Sequence, residues 1–149
     1  MRQVLPAAIA AILLAAAPHA LADPSDVPSE ASADPNFSAA QTAIGAAQWQ
    51  TAITLLHKVK PSADAHNLLG FAYRNAGKLD EAFKNYHLAL SLNPGHRGAH
   101  EYLGEAYLMA KNPAKAEEHL ELLKGLCTMG CEEYNDLARS IAAFRKQRG

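Results

Sequence analysis

The chain contains only two cysteines and one tryptophan among 149 residues. It lacks C-x-x-C-H, which excludes covalently attached haem, and no cysteine lies near its N-terminal leader, so a bacterial lipid anchor is not expected. A glycine-rich phosphate loop and any triad spacing are also missing. Glu117-Glu118 and Glu132-Glu133 are adjacent pairs. On a helix such neighbours point to different sides instead of converging, so hydrolysis by paired carboxylates has no site. The chain therefore reads as non-enzymatic and without a cofactor. Excess positive charge is absent too. Beyond residues 1–22, 13 basic residues face 15 acidic ones. The one cationic cluster, "FRKQRG" at the C-terminus, complements the negative end of a terminal helix. Neither nucleic acid nor an anionic membrane surface is an expected partner.

A long apolar run is missing as well. Val4 to Ala17 is almost wholly apolar, but Pro6, Pro18 and His19 interrupt the stretch, and a membrane helix needs about 20 such residues. Arg2 before the run and Ala20-Leu21-Ala22 after it form the pattern of a secretory signal. Residues 1–22 are thus expected to be removed, delivering the chain to a bacterial periplasm with no stable membrane insertion. The next stretch, "DPSDVPSEASADPN", has no periodic apolar face and is expected to be a flexible leader over 23–36. What remains, 37–147, is enough for one domain.

That domain repeats itself. "HNLLGFAYRNAGKLDEAFKNYHLALSLNP" begins at His66 and "HEYLGEAYLMAKNPAKAEEHLELLKGLCT" at His100. His66/His100, Leu69/Leu103, Gly70/Gly104, Ala72/Ala106, Tyr73/Tyr107 and Ala82/Ala116 are each 34 residues apart. Leu69 and Tyr73 share one face of a first helix. Gly70 and Gly104 carry no side chain, so a neighbouring helix can approach there. Asn75-Ala76-Gly77 makes the turn, with Gly77 free to take positive φ. Ala82, Tyr86 and Ala89 mark a second helix that Asn93-Pro94 ends, and Asn112-Pro113 supplies a cap and first-turn proline for the next unit.

At these residues the sequence resembles the tetratricopeptide-repeat (TPR) family, whose pattern W-x2-L-G-x2-Y, A-x3-F, P is met by Leu69, Gly70, Tyr73, Ala82, Tyr86, Ala89 and Pro94. His66 stands in the tryptophan position. The second unit matches at Leu103, Gly104, Tyr107 and Ala116, then departs: Leu120 and Leu123 replace the aromatic and the alanine, and no proline closes it. A degenerate unit precedes both, with Trp49, Ala52 and Leu56 aligned on Leu79, Ala82 and Tyr86. The resemblance implies an all-α solenoid of helical hairpins: 37–62 degenerate, 63–96 and 97–126 as repeats. A last amphipathic helix over 131–147, carrying Tyr134, Leu137, Ala138, Ile141 and Phe144 on one stripe, is expected to cap the stack.

Cys127 and Cys131 stand at the joint before that helix. In an oxidising compartment an even pair reads first as a disulfide. Gly130 lets the chain bend, and closing so short a loop is worth about 2 kcal/mol. Two other readings stay open: a redox-active pair, and a metal site completed by His96, His100 or His119. The remaining histidines read as structural. His66 and His100 are expected to be partly buried with wet polar tips, while His57, His87 and His119 fall on second helices and are expected to face solvent.

In the family, the first helices line a concave groove that receives peptides or extended protein segments. Carried over, the groove would display Asn67, Phe71, Arg74, Glu101, Glu105 and Met109, with Asp64, Asn75 and Leu108 beside them. The family arrangement that clamps a C-terminal carboxylate needs basic and polar residues where Phe71 and Glu105 stand, so that specificity is not implied. The expected partner is a protein or peptide with an apolar anchor and charge, bound by a monomer or a weak homo-oligomer. The alternative is a thiol-disulfide or metal-handling protein acting through Cys127 and Cys131.

Overall fold

A computed structural model describes residues 33–128 and 130–147; the expected signal and most of the expected leader lie outside them. Within these residues seven helices run in order: α1 (Pro35–Gly45), α2 (Trp49–Leu56), α3 (Ala63–Asn75), α4 (Leu79–Leu92), α5 (Arg97–Met109), α6 (Pro113–Leu126) and α7 (Glu132–Lys146). Among the described residues there is no strand, and no helix is long and apolar enough to cross a membrane.

Local chemistry sets the helix starts. Ser62 accepts from the Ala65 amide at 3.1 Å, and Asn112 accepts from the Lys115 amide at 3.3 Å ahead of Pro113. Asp34 caps α1 by accepting from the Asn36 amide at 2.7 Å, with Pro35 in the first turn. Helix therefore begins two residues before the domain was expected to start at Phe37, because Asp34 satisfies an amide and Pro35 presets φ. His96 caps α5 through its own ring, Nδ1 accepting from the Ala99 amide at 3.0 Å.

Each hairpin turns in the same way. Ala47, Gly77 and Lys111 hold φ of 54°, 78° and 59°. At each, the residue in positive φ donates to the carbonyl three back, and its successor donates to the carbonyl five back: Gln48 to Ala43, Lys78 to Tyr73, Asn112 to Tyr107. That pair of bonds closes a helix with a left-handed residue just past its cap.

The core follows the helical periodicity. Ala65, Leu69 and Ala72 on α3, and Ala99, Leu103 and Ala106 on α5, form one buried stripe each. Ala52, Ala82 and Ala116 are wholly buried at equivalent places on α2, α4 and α6, so backbones there approach closely. A Cβ on Gly70 would come 2.5 Å from the Tyr86 ring, and one on Gly104 would come 2.6 Å from Leu137. The two glycines therefore admit a neighbouring helix, α4 in one case and α7 in the other. Burying a side chain such as Leu137 is worth about 2 kcal/mol. Leu137 and Ile141 are buried against Leu108, Leu123 and the half-buried Tyr107 and Leu120, with Tyr134 and Phe144 packed alongside. In α7, Leu137 lies 34 residues after Leu103, and Ile141 the same distance after Tyr107. The last helix caps the stack by standing where the first helix of a further hairpin would stand.

The disulfide joins the end of α6 to the start of α7: Cys127 and Cys131 are bonded with Cα atoms 5.6 Å apart. Gly130, at φ 81°, provides the bend.

The concave face as candidate functional site

The first helices α3 and α5 and the last helix α7 together form the concave face. Its floor is aromatic. Trp49 at the start of α2 meets Phe71 edge-on with ring centroids 6.1 Å apart, and Phe71 meets Tyr102 at 4.9 Å. The Arg74 guanidinium lies 5.4 Å from the centroids of both Phe71 and Tyr102, within cation–π range of each. Arg74 also donates to Glu105 at 2.5 Å, and Glu105 accepts from the Ser140 hydroxyl at 2.9 Å. One carboxylate thus links α3, α5 and α7. Arg74 is only 10% exposed in its side chain and Glu105 25%, so removing either partner would leave a largely buried charge without its counter-ion.

The six groove residues expected from the sequence divide by depth. Met109 is 55% exposed, Phe71 and Glu105 are half-buried, and Arg74 is engaged as described. Asn67 and Glu101 are buried, 7% and 8% exposed. Leu108 is buried beside Met109, Asn75 is exposed and bonded to the Phe71 carbonyl, and Asp64 pairs with His96 at 3.1 Å. A cavity of about 620 Å³ opens at the C-terminal ends of α3, α5 and α7, with Leu108, Met109, Ala143 and Phe144 supplying its apolar wall and Arg74 and Glu105 its polar one.

Sequence reasoning missed the part of the groove built by α7. Ser140, Ala143 and Phe144 line the cavity, because α7 occupies a first-helix position. The signal was present in the spacing of Leu69, Leu103 and Leu137. The break in pattern between Leu120 and Cys131 obscured it.

The histidines fall in part as expected, with two corrections. The first is that His100 is buried, 6% exposed, with Nδ1 against His119 and Nε2 against the Pro94 carbonyl, so its ring has no wet tip. His66 is half-buried with Nδ1 3.0 Å from Asn85 Oδ1, and His87 is exposed. His57 is exposed with Nε2 2.9 Å from the Tyr73 hydroxyl. His119 does not face solvent. It is half-buried, stacked on Tyr107 at 5.7 Å, with Nδ1 2.9 Å from Nδ1 of buried His100. It occupies the register of Asn85 in the preceding hairpin, which turns it inward. Burial first, then His100 and His87, lower its pKa to about 4, against a smaller opposing pull from Glu118. His96 and His100 do not share a helical face, because His96 is the cap and α5 begins only at Arg97. Among the described residues, no three His, Cys, Asp or Glu side chains are grouped closely enough to hold a metal ion.

The tetratricopeptide-repeat profile matches residues 63–96, which are α3, α4 and their flanks. No curated protein matches the chain. Among solved structures, the TPR domain of Sgt2 from Aspergillus fumigatus superposes with a TM-score of 0.65 at 19% identity, covering 74% of this chain and 75% of that one. At that identity the likeness is one of fold: stacked helical hairpins.

Proposed function

We propose that the chain is a tetratricopeptide-repeat protein, a non-enzymatic scaffold that holds an extended protein segment along α3, α5 and α7, and that it does so in the periplasm after removal of residues 1–22. A repeat fold of this kind points to a protein-interaction role. The observation that carries the finer reading is the cavity of about 620 Å³ in which exposed Met109 and the ring of Phe144 adjoin the Arg74–Glu105 pair. Apolar anchorage beside fixed polar groups is what a bound peptide requires. The export half of the proposal rests on the leader pattern around Arg2 and Ala20-Leu21-Ala22.

Nothing in the geometry favours the thiol or metal role over this one. Cys127 and Cys131 are joined at a helix junction, and Glu132 and Glu133 in the first turn of α7 disfavour a neighbouring thiolate.

The test is selection of peptides from a random display library on the purified mature chain, followed by anisotropy titration of the best binder. Met109→Glu places a charge in the apolar wall without touching the core. It should weaken binding at least tenfold with helicity unchanged, and an unaltered affinity would overturn the groove. The location is tested by fusing the leader to a phosphatase that folds only outside the cytoplasm. An inactive fusion would overturn export.

A further inference from the structure

A second cavity, of about 270 Å³, opens at the opposite end of the same three helices, where Asn67, Gly98, Glu101, Tyr102, Glu133 and Asp136 meet. Two of its acceptors have nothing to accept from among the described residues. Asn67 is buried, and its Oδ1 has no hydrogen-bond partner there. Its amide nitrogen lies beside Gly98, where an added Cβ would come within 3.3 Å, so the missing side chain leaves the amide room. Glu101 is buried on the next helix with a carboxylate that takes part in no ion pair among the described residues, while Glu133 and Asp136 add negative charge from α7.

An unpartnered buried acceptor such as Asn67 Oδ1 costs about 1–3 kcal/mol. Its retention beside the Glu101 carboxylate marks a place shaped for donors. The counter-charges nearby do not supply them. Arg97 reaches Glu133 at 3.6 Å, and Arg139 pairs with Asp136, but both arginines are largely exposed. Arg74 approaches Glu101 from α3 yet is bonded to Glu105. Without a donor, Glu101 holds a proton instead. Burial first, then the negative charges of Glu105, Asp136 and Glu133, raise its pKa to about 8, against the opposing pull of Arg74.

We propose that this cavity receives a basic side chain, arginine or lysine, from the segment bound in the groove, with Asn67 Oδ1 and the Glu101 carboxylate accepting its N–H groups and Glu133 and Asp136 closing around its charge. The inference rests on the groove reading and gives its partner a chemistry: a cationic residue near an apolar one. The charge preference is the reverse of the carboxylate clamp. Entry of the cation displaces one proton from Glu101 to solvent, so that the neutral acid becomes a carboxylate paired with an ammonium or guanidinium. Binding is therefore weaker at pH 6, where Glu101 is protonated, and stronger at pH 8 and above. The difference should be roughly tenfold or more between those two pH values.

Ethylguanidinium chloride, titrated into the intact mature protein, is the probe, read by the side-chain carboxyl carbon signal of Glu101 and the amide signals of Gly98 and Asn67. The expected result is a saturable shift in all three and a downward move in the titration midpoint of Glu101. Glu101→Gln, which keeps the shape of the neutral acid and therefore the fold, should abolish saturation, and Asp136→Asn should weaken it. A non-saturating response, an equal response to neutral ethylurea, or binding that survives Glu101→Gln would overturn the inference. The selected peptides separate this failure from that of the groove. Binders that depend on Met109 but carry no excess of arginine or lysine leave the groove standing and overturn the cationic pocket. A saturable ethylguanidinium site with no peptide sensitive to Met109→Glu removes the groove, and with it the claim that the cation belongs to a bound segment.

Discussion

The hairpins α3–α4 and α5–α6 place a histidine in the same position and partner it differently. In the first, His66 Nδ1 meets Asn85 Oδ1 at 3.0 Å, while Asn85 Nδ2 donates to the Glu81 carbonyl at 2.9 Å. An amide oxygen only accepts, so His66 must donate, and it can do so in either charge state. In the second, His100 faces His119, and its Nε2 lies 2.8 Å from the Pro94 carbonyl. A carbonyl also only accepts, so His100 Nε2 carries a hydrogen. Neutral His100 then accepts at Nδ1 from His119. The first hairpin is built around a pair indifferent to protonation, the second around a pair that tolerates one added proton but not two. A single exchange of asparagine for histidine makes one repeat sensitive to acid.

The glycines of the two hairpins differ in the same spirit, and here the expected effect is largest. Gly70 abuts the wholly buried ring of Tyr86, with three ring atoms within 2.9 Å of an added Cβ, whereas Gly104 abuts the flexible end of Leu137. A ring locked between helices cannot yield, but a leucine can change rotamer as α7 shifts outward. Gly70→Ala should therefore cost about 2–3 kcal/mol and Gly104→Ala about 1 kcal/mol, after the helix-propensity gain common to both. Urea denaturation measures both. Equal losses would show that α7 is held as rigidly as a helix within a hairpin, which would break the comparison.

Acid should act through His119 with a smaller effect. Its pKa falls from 6.5 to about 4 on folding, so the unfolded chain binds the extra proton more readily. The stability it contributes is complete above pH 6.5 and is lost as pH falls toward 4. Allowing for solvent screening of a half-buried ring, the loss is about 1–2 kcal/mol. Glu101 has the opposite sign. Its raised folded pKa of about 8 contributes stability that is complete below 4.5 and lost as pH rises through 8. The two oppose each other between pH 4.5 and 6.5, so the difference between the wild type and a variant is the useful quantity. His119→Asn rebuilds the pair of the first hairpin. It should remove most of the acid-side loss while leaving the alkaline side unchanged. A variant whose stability tracks the wild type down to pH 4 would show that the acid response lies elsewhere.

Much of this fold is written in plain residues. Leu69, Gly70, Tyr73, Ala82 and Ala89 specify a hairpin because each has a local part to play, whether in a buried stripe, a close approach or a contact spanning the turn. Their 34-residue recurrence specifies the stacking. The groove was less legible. Placing Asn67, Phe71, Arg74, Glu101, Glu105 and Met109 on one face follows from helix periodicity. Their depth does not. Whether Glu101 is buried depends on where α7 lies, and whether Arg74 is free depends on Glu105 one hairpin away. His119 was misplaced for a related reason. Second-helix periodicity alone left its direction open, and only the equivalence with Asn85, visible once His66–Asn85 is seen as a pair, turns it inward.

The smallest effect concerns the turns, where three residue types hold one conformation. Ala47, Gly77 and Lys111 all have φ between 54° and 78°, a region costing a side-chain-bearing residue about 1 kcal/mol relative to glycine. Lys111 is exposed, so little packing offsets that cost. Lys111→Gly should relieve it, and the greater freedom of glycine in the unfolded chain should return part of the gain. The net expected stabilisation is about 0.5 kcal/mol. Gly77→Lys should lose somewhat more, because it adds strain to a turn that has none. Both changes can be read as shifts in the midpoint of a urea titration at constant slope. If Lys111→Gly destabilises, then the lysine holds the turn through its side chain, and the three hairpins reach one geometry by different means.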